Sequence, residues 1–481
     1  MITLKDLIQK LWSAADILRG HFPASDYNKY LLRLLLLKHL SDVVDENNNL
    51  SLFVVTDRCH WSYLHSVNKD IGQALNIASQ EIEYHNPNLE KIFTSIDFEN
   101  KYHSLGSAQY EMILRQLIQH FSYLNLGYNN LAEPDILGKA CEYLIEKFAG
   151  DSGKYSAESY TPNKIAQLLV NLLGLEKGMT ICDPVCGFGG FLTGYVNYIK
   201  QRGLNIEDIS FYGQERNLET WVIAKINLLF HNIFNCDIRW GDTIRDPQLL
   251  DGKKLMIFDR VIANPPFCIS HWGDDIEGFD SYYRFRYGIP PKNNGDFAFI
   301  QHILATLKNT GKAAIIVANG VLFRDGKEGS IRQRILEEDL IEAVIGLAPN
   351  LFYHTGILTN ILIFNRNKAE KSKNKVLFID ASSKYQKIGR QNHLQSEHIN
   401  EIVNIYHSFT DQEGYSKVVS LEEIAQNDYI LNINRYVLPP KTENEKIDIK
   451  TEIIKLRELE AERIKAENDM NKYLRELGVN L

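Results

Sequence analysis

The chain has 481 residues, 44% of them hydrophobic, and a formal charge of 53 − 61 = −8. It is long enough for about three domains with sizeable cores, which excludes a small disulfide-stapled module. The acidic balance excludes wholesale attraction to phosphate backbones, so work on nucleic acid needs a local basic groove or a partner.

From residue 1 to about 150, apolar residues recur at helical spacing, as in Leu7, Leu11, Ala14, Ala15 and Leu18, and again in Ile136, Leu137, Ala140, Leu144 and Ile145. An N-terminal helical domain is expected over 1–150. The apolar run Leu31 to Leu40 is broken by Arg33, Lys38 and His39 and falls short of the roughly 20 residues of a membrane span. It reads as a buried helix. No secretory pattern is visible from Met1 to Lys5. The six cysteines, Cys59, Cys141, Cys182, Cys186, Cys236 and Cys268, contain no CxxC pair. A cytoplasmic protein with reduced thiols and no metal is expected.

Beyond residue 151 short β-branched or aromatic runs alternate with helical segments: Met179 to Asp183, Ile209 to Gly213, Cys236 to Trp240, Phe258 to Ala263, Ala313 to Ala318, Glu342 to Gly346 and Asn360 to Phe364. Such alternation predicts an α/β domain over 151–368, built on an open, mostly parallel seven-stranded sheet of Rossmann-like form. Ligands bind such sheets at the carboxyl ends of the strands. The charge run Lys368 to Lys375 reads as an exposed link, 369–445 as a small mixed region, and 446–481 as a C-terminal helix with Leu456, Leu459, Ala466, Met470, Tyr473 and Leu477 on one seam. That helix either folds onto its own chain or docks on another subunit.

Four turns at strand ends carry chemistry. In Asp183-Pro184-Val185-Cys186-Gly187-Phe188-Gly189-Gly190 the glycines permit a sharp turn and close backbone approach to a ligand. Alone, it is a weak signal, since a tight structural turn has the same composition. Glu215 in Gly213-Gln214-Glu215 ends the next strand, where a carboxylate accepts from ribose hydroxyls, and Asp242 in Gly241-Asp242-Thr243 can accept from an adenine amino group. Asn264-Pro265-Pro266-Phe267 follows the fourth strand. The prolines stop the ladder and stiffen the backbone, leaving an amide oxygen and a carbonyl as a rigid acceptor pair for a planar amino group, with Phe267 as a stacking face.

In this order the motifs resemble those of S-adenosylmethionine-dependent adenine methyltransferases, and along nearly its whole length the chain resembles the modification subunit of type I restriction-modification systems. Leu11 to Gly20, Leu35 to Asp42, Leu137 to Ile145, Gly320 to Arg324, Asn427 to Tyr429 and Arg435 to Val437 carry that likeness outside the motifs. The resemblance implies that Tyr160-Thr161-Pro162, flanked by Glu158 and Asn163, meets the methionine part of S-adenosylmethionine. It implies that Asp183 with Gly187, Phe188, Gly189 and Gly190 holds the amino-acid end, Glu215 the ribose and Asp242 the adenine of the cofactor. Asn264, Pro265, Pro266 and Phe267 are the implied catalytic set for an adenine flipped from the duplex. Ala157 and Ser159 stand where the family has a glycine and an aromatic residue. The family's partners are DNA, a specificity subunit flanked by two modification subunits, and a restriction subunit that makes an ATP-dependent nuclease. Two alternatives remain at this point: methylation of another planar amine or amide, in protein glutamine or ribosomal guanine, and a non-catalytic cofactor-binding scaffold.

Overall fold

A computed structural model describes residues 1–46, 53–99, 106–151, 160–273, 280–352, 356–389, 391–439 and 449–476. Helix α1 (Leu4–Leu18) starts at a capping box in which the Thr3 hydroxyl accepts from the Asp6 amide and the Asp6 carboxylate accepts from the Thr3 amide. It buries the expected face, Leu7, Leu11, Ala14, Ala15 and Leu18. Helix α2 (Tyr27–Asp45) is buried nearly all round, Arg33 and Lys38 included; α3 (Trp61–Ser66), α5 (Ser107–Ser122) and α6 (Ile136–Asp151) pack on it, and α4 (Ile71–His85) packs on α3 and α5. Among the described residues no helix is long and apolar enough to cross a membrane.

Next come α7 (Asn163–Leu173), β1 (Thr180–Asp183), α8 (Gly190–Gln201), β2 (Ser210–Glu215), α9 (Leu218–Phe230), β3 (Cys236–Trp240), β4 (Phe258–Ala263), α10 (Asp296–Ala305), β5 (Leu307–Ala318), α11 (Lys327–Glu337), β6 (Ile341–Gly346) and β7 (Thr359–Asn365). All seven expected strands are present. Two more, β8 (Lys375–Asp380) and β9 (Ser416–Ser420), lengthen the same sheet, with α12 (Ser396–Ser408) between them and α13 (Leu421–Gln426) after them. The order is β9-β8-β6-β7-β5-β4-β1-β2-β3. Strands β1 to β5 pair in parallel, whereas β7 runs antiparallel to both β5 and β6. Strand β8 is parallel to β6, and β9 antiparallel to β8.

Strand order reverses at β1, with β2 on one side and β4 on the other, so the crevice over their carboxyl ends is the topological switch point at which such sheets bind ligands. The expected link at 368–375 needs one correction. Lys368 and Ser372 are buried, and Lys368 Nζ donates to Asp339 Oδ1 at 2.5 Å and to the Lys375 carbonyl at 2.9 Å. An ammonium can be buried there because these oxygens replace its water.

Residues Leu438–Leu481 form a second unit. Its described element is α14 (Ile449–Glu476), whose Ile453, Leu456, Leu459, Ile464 and Met470 are exposed. Residues 446–448 and 477–481 of the expected helix, and the Tyr473 side chain, lie outside the described residues.

Candidate active site

The first turn after β1 is shaped by two left-handed backbones, Gly187 (φ +53°) and Gly189 (φ +81°), a conformation that disfavours any side chain. Gly189 caps α8, and its amide donates to the Cys186 carbonyl at 2.8 Å. The Gly187 amide donates to Glu215 Oε2 at 3.1 Å, and the Asn217 amide to Glu215 Oε1 at 2.7 Å, so the ends of β1 and β2 are tied through one carboxylate. Asp183 is buried and accepts from the Val185 amide at 3.1 Å. Burial, with the Glu215 charge nearby, pushes the Asp183 carboxyl well above the usual range; burial also raises Glu215, against the amides that hold it. Both side chains line the crevice as acceptors for the donors of a ligand.

The third turn locks onto the first: the Thr243 hydroxyl donates to the Pro184 carbonyl. Asp242 Oδ1 accepts from the Ile244 and Arg245 amides at 2.9 and 3.0 Å, with Arg216 3.7 Å from its other oxygen. At the end of β4, Asn264 Nδ2 donates to Thr161 Oγ1 at 3.1 Å, leaving Asn264 Oδ1 buried with no hydrogen-bond partner among the described residues. Thr161, expected to meet cofactor, thus also orients Asn264. The next loop is anchored from behind: the Cys268 amide donates to Asp296 Oδ1 at 2.9 Å, and Arg324 bridges Asp296 to Glu328.

These turns enclose a cavity of about 360 Å³. Tyr160, Thr161, Asn163, Asp183, Gly187, Phe188, Gly190, Glu215, Asp242, Asn264 and Pro266 line it; Pro162, Gly189, Pro265 and Phe267 do not. The Phe267 ring is half-buried and meets Phe352 edge-on at 6.3 Å. Glu158, Ala157 and Ser159 lie outside the described residues. The sequence reading missed the wall supplied from afar. Ser25, Asn28 and Glu142 reach the cavity from the helical region, and Glu219 and Asn227 from α9. Glu142 accepts from Thr193 at 2.9 Å and from Asn163 at 3.2 Å, with His231 Nε2 at 3.3 Å. Burial works to raise its carboxyl, but these donors outweigh it and the net shift is downward. Strand-end patterns could not have revealed this wall, because its residues lie on helices.

The sheet runs β3-β2-β1-β4-β5-β7-β6 with β7 reversed and carries acidic and amide acceptors over its switch point, where sheets of this kind bind ligands. The N-6 DNA Methylase family model matches residues 132–445, and the HsdM N-terminal domain model matches 7–121. Over 95% of its length the chain is 33% identical to the type I restriction enzyme MjaVII methylase subunit of Methanocaldococcus jannaschii, covering 82% of that relative. It is also 33% identical to the HindI methylase subunit of Haemophilus influenzae, over 82% of this chain and 91% of that one. The crystal structure of a type I restriction-modification methyltransferase subunit from Streptococcus thermophilus superposes with a TM-score of 0.79 at 30% identity, covering 91% of this chain and all of that one. The chain belongs to the N-6 DNA methylase family, the adenine-specific DNA methyltransferases, among the modification subunits of type I restriction-modification systems.

Proposed function

We propose that this chain methylates the N6 amino group of an adenine swung out of duplex DNA, with S-adenosylmethionine and the base held side by side in the cavity over β1, β2, β3 and β4. The observation that carries the reading is Asn264 Oδ1, a buried acceptor without a donor at the end of β4. The cavity suits the cofactor chemically, since its ammonium and ribose hydroxyls are donors that match the Asp183 and Glu215 carboxyl groups in the lining. Bound there, S-adenosylmethionine supplies a methyl group made electrophilic by its positive sulfur.

The chain's own residues align and desolvate. Asp183 and the Gly187 to Gly190 turn would hold the amino-acid end of the cofactor, Tyr160, Thr161, Pro162 and Asn163 its methionine part, a role the family resemblance extends to Glu158, Glu215 its ribose, and Asp242 its adenine. Asn264 Oδ1 and the Pro265 carbonyl accept from the two N6 hydrogens of the target base, which draws the nitrogen lone pair out of conjugation with the ring and turns it toward the donor. Pro266 stiffens the turn, and Phe267, steadied by Phe352, offers the stacking face. Glu215→Ala tests the cofactor half: calorimetry on the full chain should show S-adenosylmethionine bound at least about tenfold more weakly, the scale of a hydrogen bond to a charged group. Unchanged affinity counts against the ribose role.

Within an assembly, we assign 1–150 to covering the cavity, 151–368 to the reaction, 369–445 to extending the sheet and 446–481 to docking on a specificity subunit, two copies of this chain to each. The exposed Leu456, Leu459 and Met470, 61%, 63% and 52% accessible, support an interface on α14. Removing the residues after Lys446 should abolish co-purification with the specificity subunit, and an intact complex refutes the docking role. A restriction subunit, if encoded alongside, joins the same assembly.

A further inference from the structure

The cavity is not built by the sheet alone. Asn28 reaches it from the start of α2, Ser25 from the short turn just before that helix, and Glu142, Ile145 and Phe148 from α6. Helix α2 is pinned in place by Arg33, whose guanidinium forks onto both oxygens of Glu219 at 2.6 and 2.9 Å. Asn28, five residues earlier, is 6% exposed, and its Oδ1 has no hydrogen-bond partner among the described residues.

A buried amide oxygen without a donor leaves its desolvation uncompensated, and in folded proteins such groups call for an explanation. Three of the nine buried unpartnered side-chain atoms among the described residues, Oδ1 of Asn28, Asn227 and Asn264, belong to residues lining this single cavity. That concentration is what a donor-bearing ligand requires of its walls. Asn264 serves the target base, and Asn227 uses its amide nitrogen to fix the Phe188 carbonyl at 3.0 Å. Asn28 is the acceptor supplied by the helical region.

We propose that Asn28 is a cofactor-binding residue: its side-chain oxygen accepts a hydrogen bond from an N–H or O–H of bound S-adenosylmethionine, so that the helical region completes the cofactor site. This rests on the reading of the cavity given above. It also gives α2 a second task beside packing, because the helix that Arg33 locks to α9 then carries part of the ligand's recognition.

The test is calorimetry on the full chain with S-adenosylmethionine, S-adenosylhomocysteine and 5′-methylthioadenosine, which lacks the amino-acid end. Asn28→Ala should weaken S-adenosylmethionine binding about tenfold, and Asn28→Asp, which keeps an acceptor in place, should bind within about threefold of the unmodified chain. Weakening confined to the two amino-acid-bearing ligands assigns the bond to the ammonium; weakening of all three assigns it to the nucleoside. Unchanged affinity in Asn28→Ala overturns the proposal, as does an equal loss in Asn28→Ala and Asn28→Asp, which reports packing instead of an acceptor. If the unmodified chain binds none of the three ligands, the cavity assignment itself fails. If it binds them and Glu215→Ala weakens them while Asn28→Ala does not, only the Asn28 inference falls.

Discussion

Asn264→Ala abolishes adenine methylation while S-adenosylmethionine affinity stays near that of the unmodified chain. The separation follows from position: Asn264 ends β4, whereas the residues proposed for the cofactor's amino-acid end, ribose and adenine follow β1, β2 and β3. Alanine removes the side-chain acceptor proposed to receive the target amino group and releases Thr161 Oγ1, its partner at 3.1 Å. Two losses then combine. Losing a preorganised polar group at the reacting atom lowers turnover by about 10²–10³. An extruded base that loses its hydrogen bond also recovers less of the few kcal/mol spent on unstacking. Transfer of labelled methyl into duplex DNA in the presence of a specificity subunit, paired with calorimetry, measures both halves. Asn264→Asp keeps an acceptor and should retain more activity than Asn264→Ala. Full activity in Asn264→Ala contradicts the assignment.

Arg33→Met lowers the stability of the chain by roughly 3 kcal/mol, a scale set by removing one partner of a buried ion pair. The Arg33 side chain is fully buried. Besides its fork on Glu219 it donates to the Ile92 carbonyl at 2.6 Å, the Lys29 carbonyl at 2.7 Å and Ser95 at 2.8 Å. Methionine fills much of the volume but supplies none of these donors, so the carbonyls and the carboxylate lose their partners together. Glu219 is 34% exposed and regains some water, which places the loss at the lower end of the range for buried pairs. Denaturant unfolding of the full chain reads the change. A loss below about 1 kcal/mol would mean that the helical region is held against α9 by apolar packing alone.

Much of this architecture is legible in the sequence because it is written locally. The strand runs, the glycine turn after Asp183, the carboxylates of Glu215 and Asp242 and the Asn264 to Phe267 turn all lie within a few residues of a strand end. What escapes is set by distant partners. Arg33 reads as a break in an apolar run, yet Glu219, 186 residues further on, makes its burial possible. Ser25, Asn28 and Glu142 join the cavity by helix packing, which no strand-end motif signals. The reversal of β7 is a matter of topology, and Val376-Leu377-Phe378-Ile379, a clear strand run, is obscured by the charged stretch before it. That stretch hides its own exception too, since Lys368 is buried only because Asp339 and the Lys375 carbonyl receive it.

The most direct test of the central claim is the structure of this chain with its specificity subunit, a target duplex and a non-reactive cofactor analogue. The target adenine is expected out of the helix, its N6 within about 2.7–3.2 Å of Asn264 Oδ1 and facing the position of the transferable methyl. An adenine still stacked in the duplex, or turned out into a pocket away from Asn264, would contradict it.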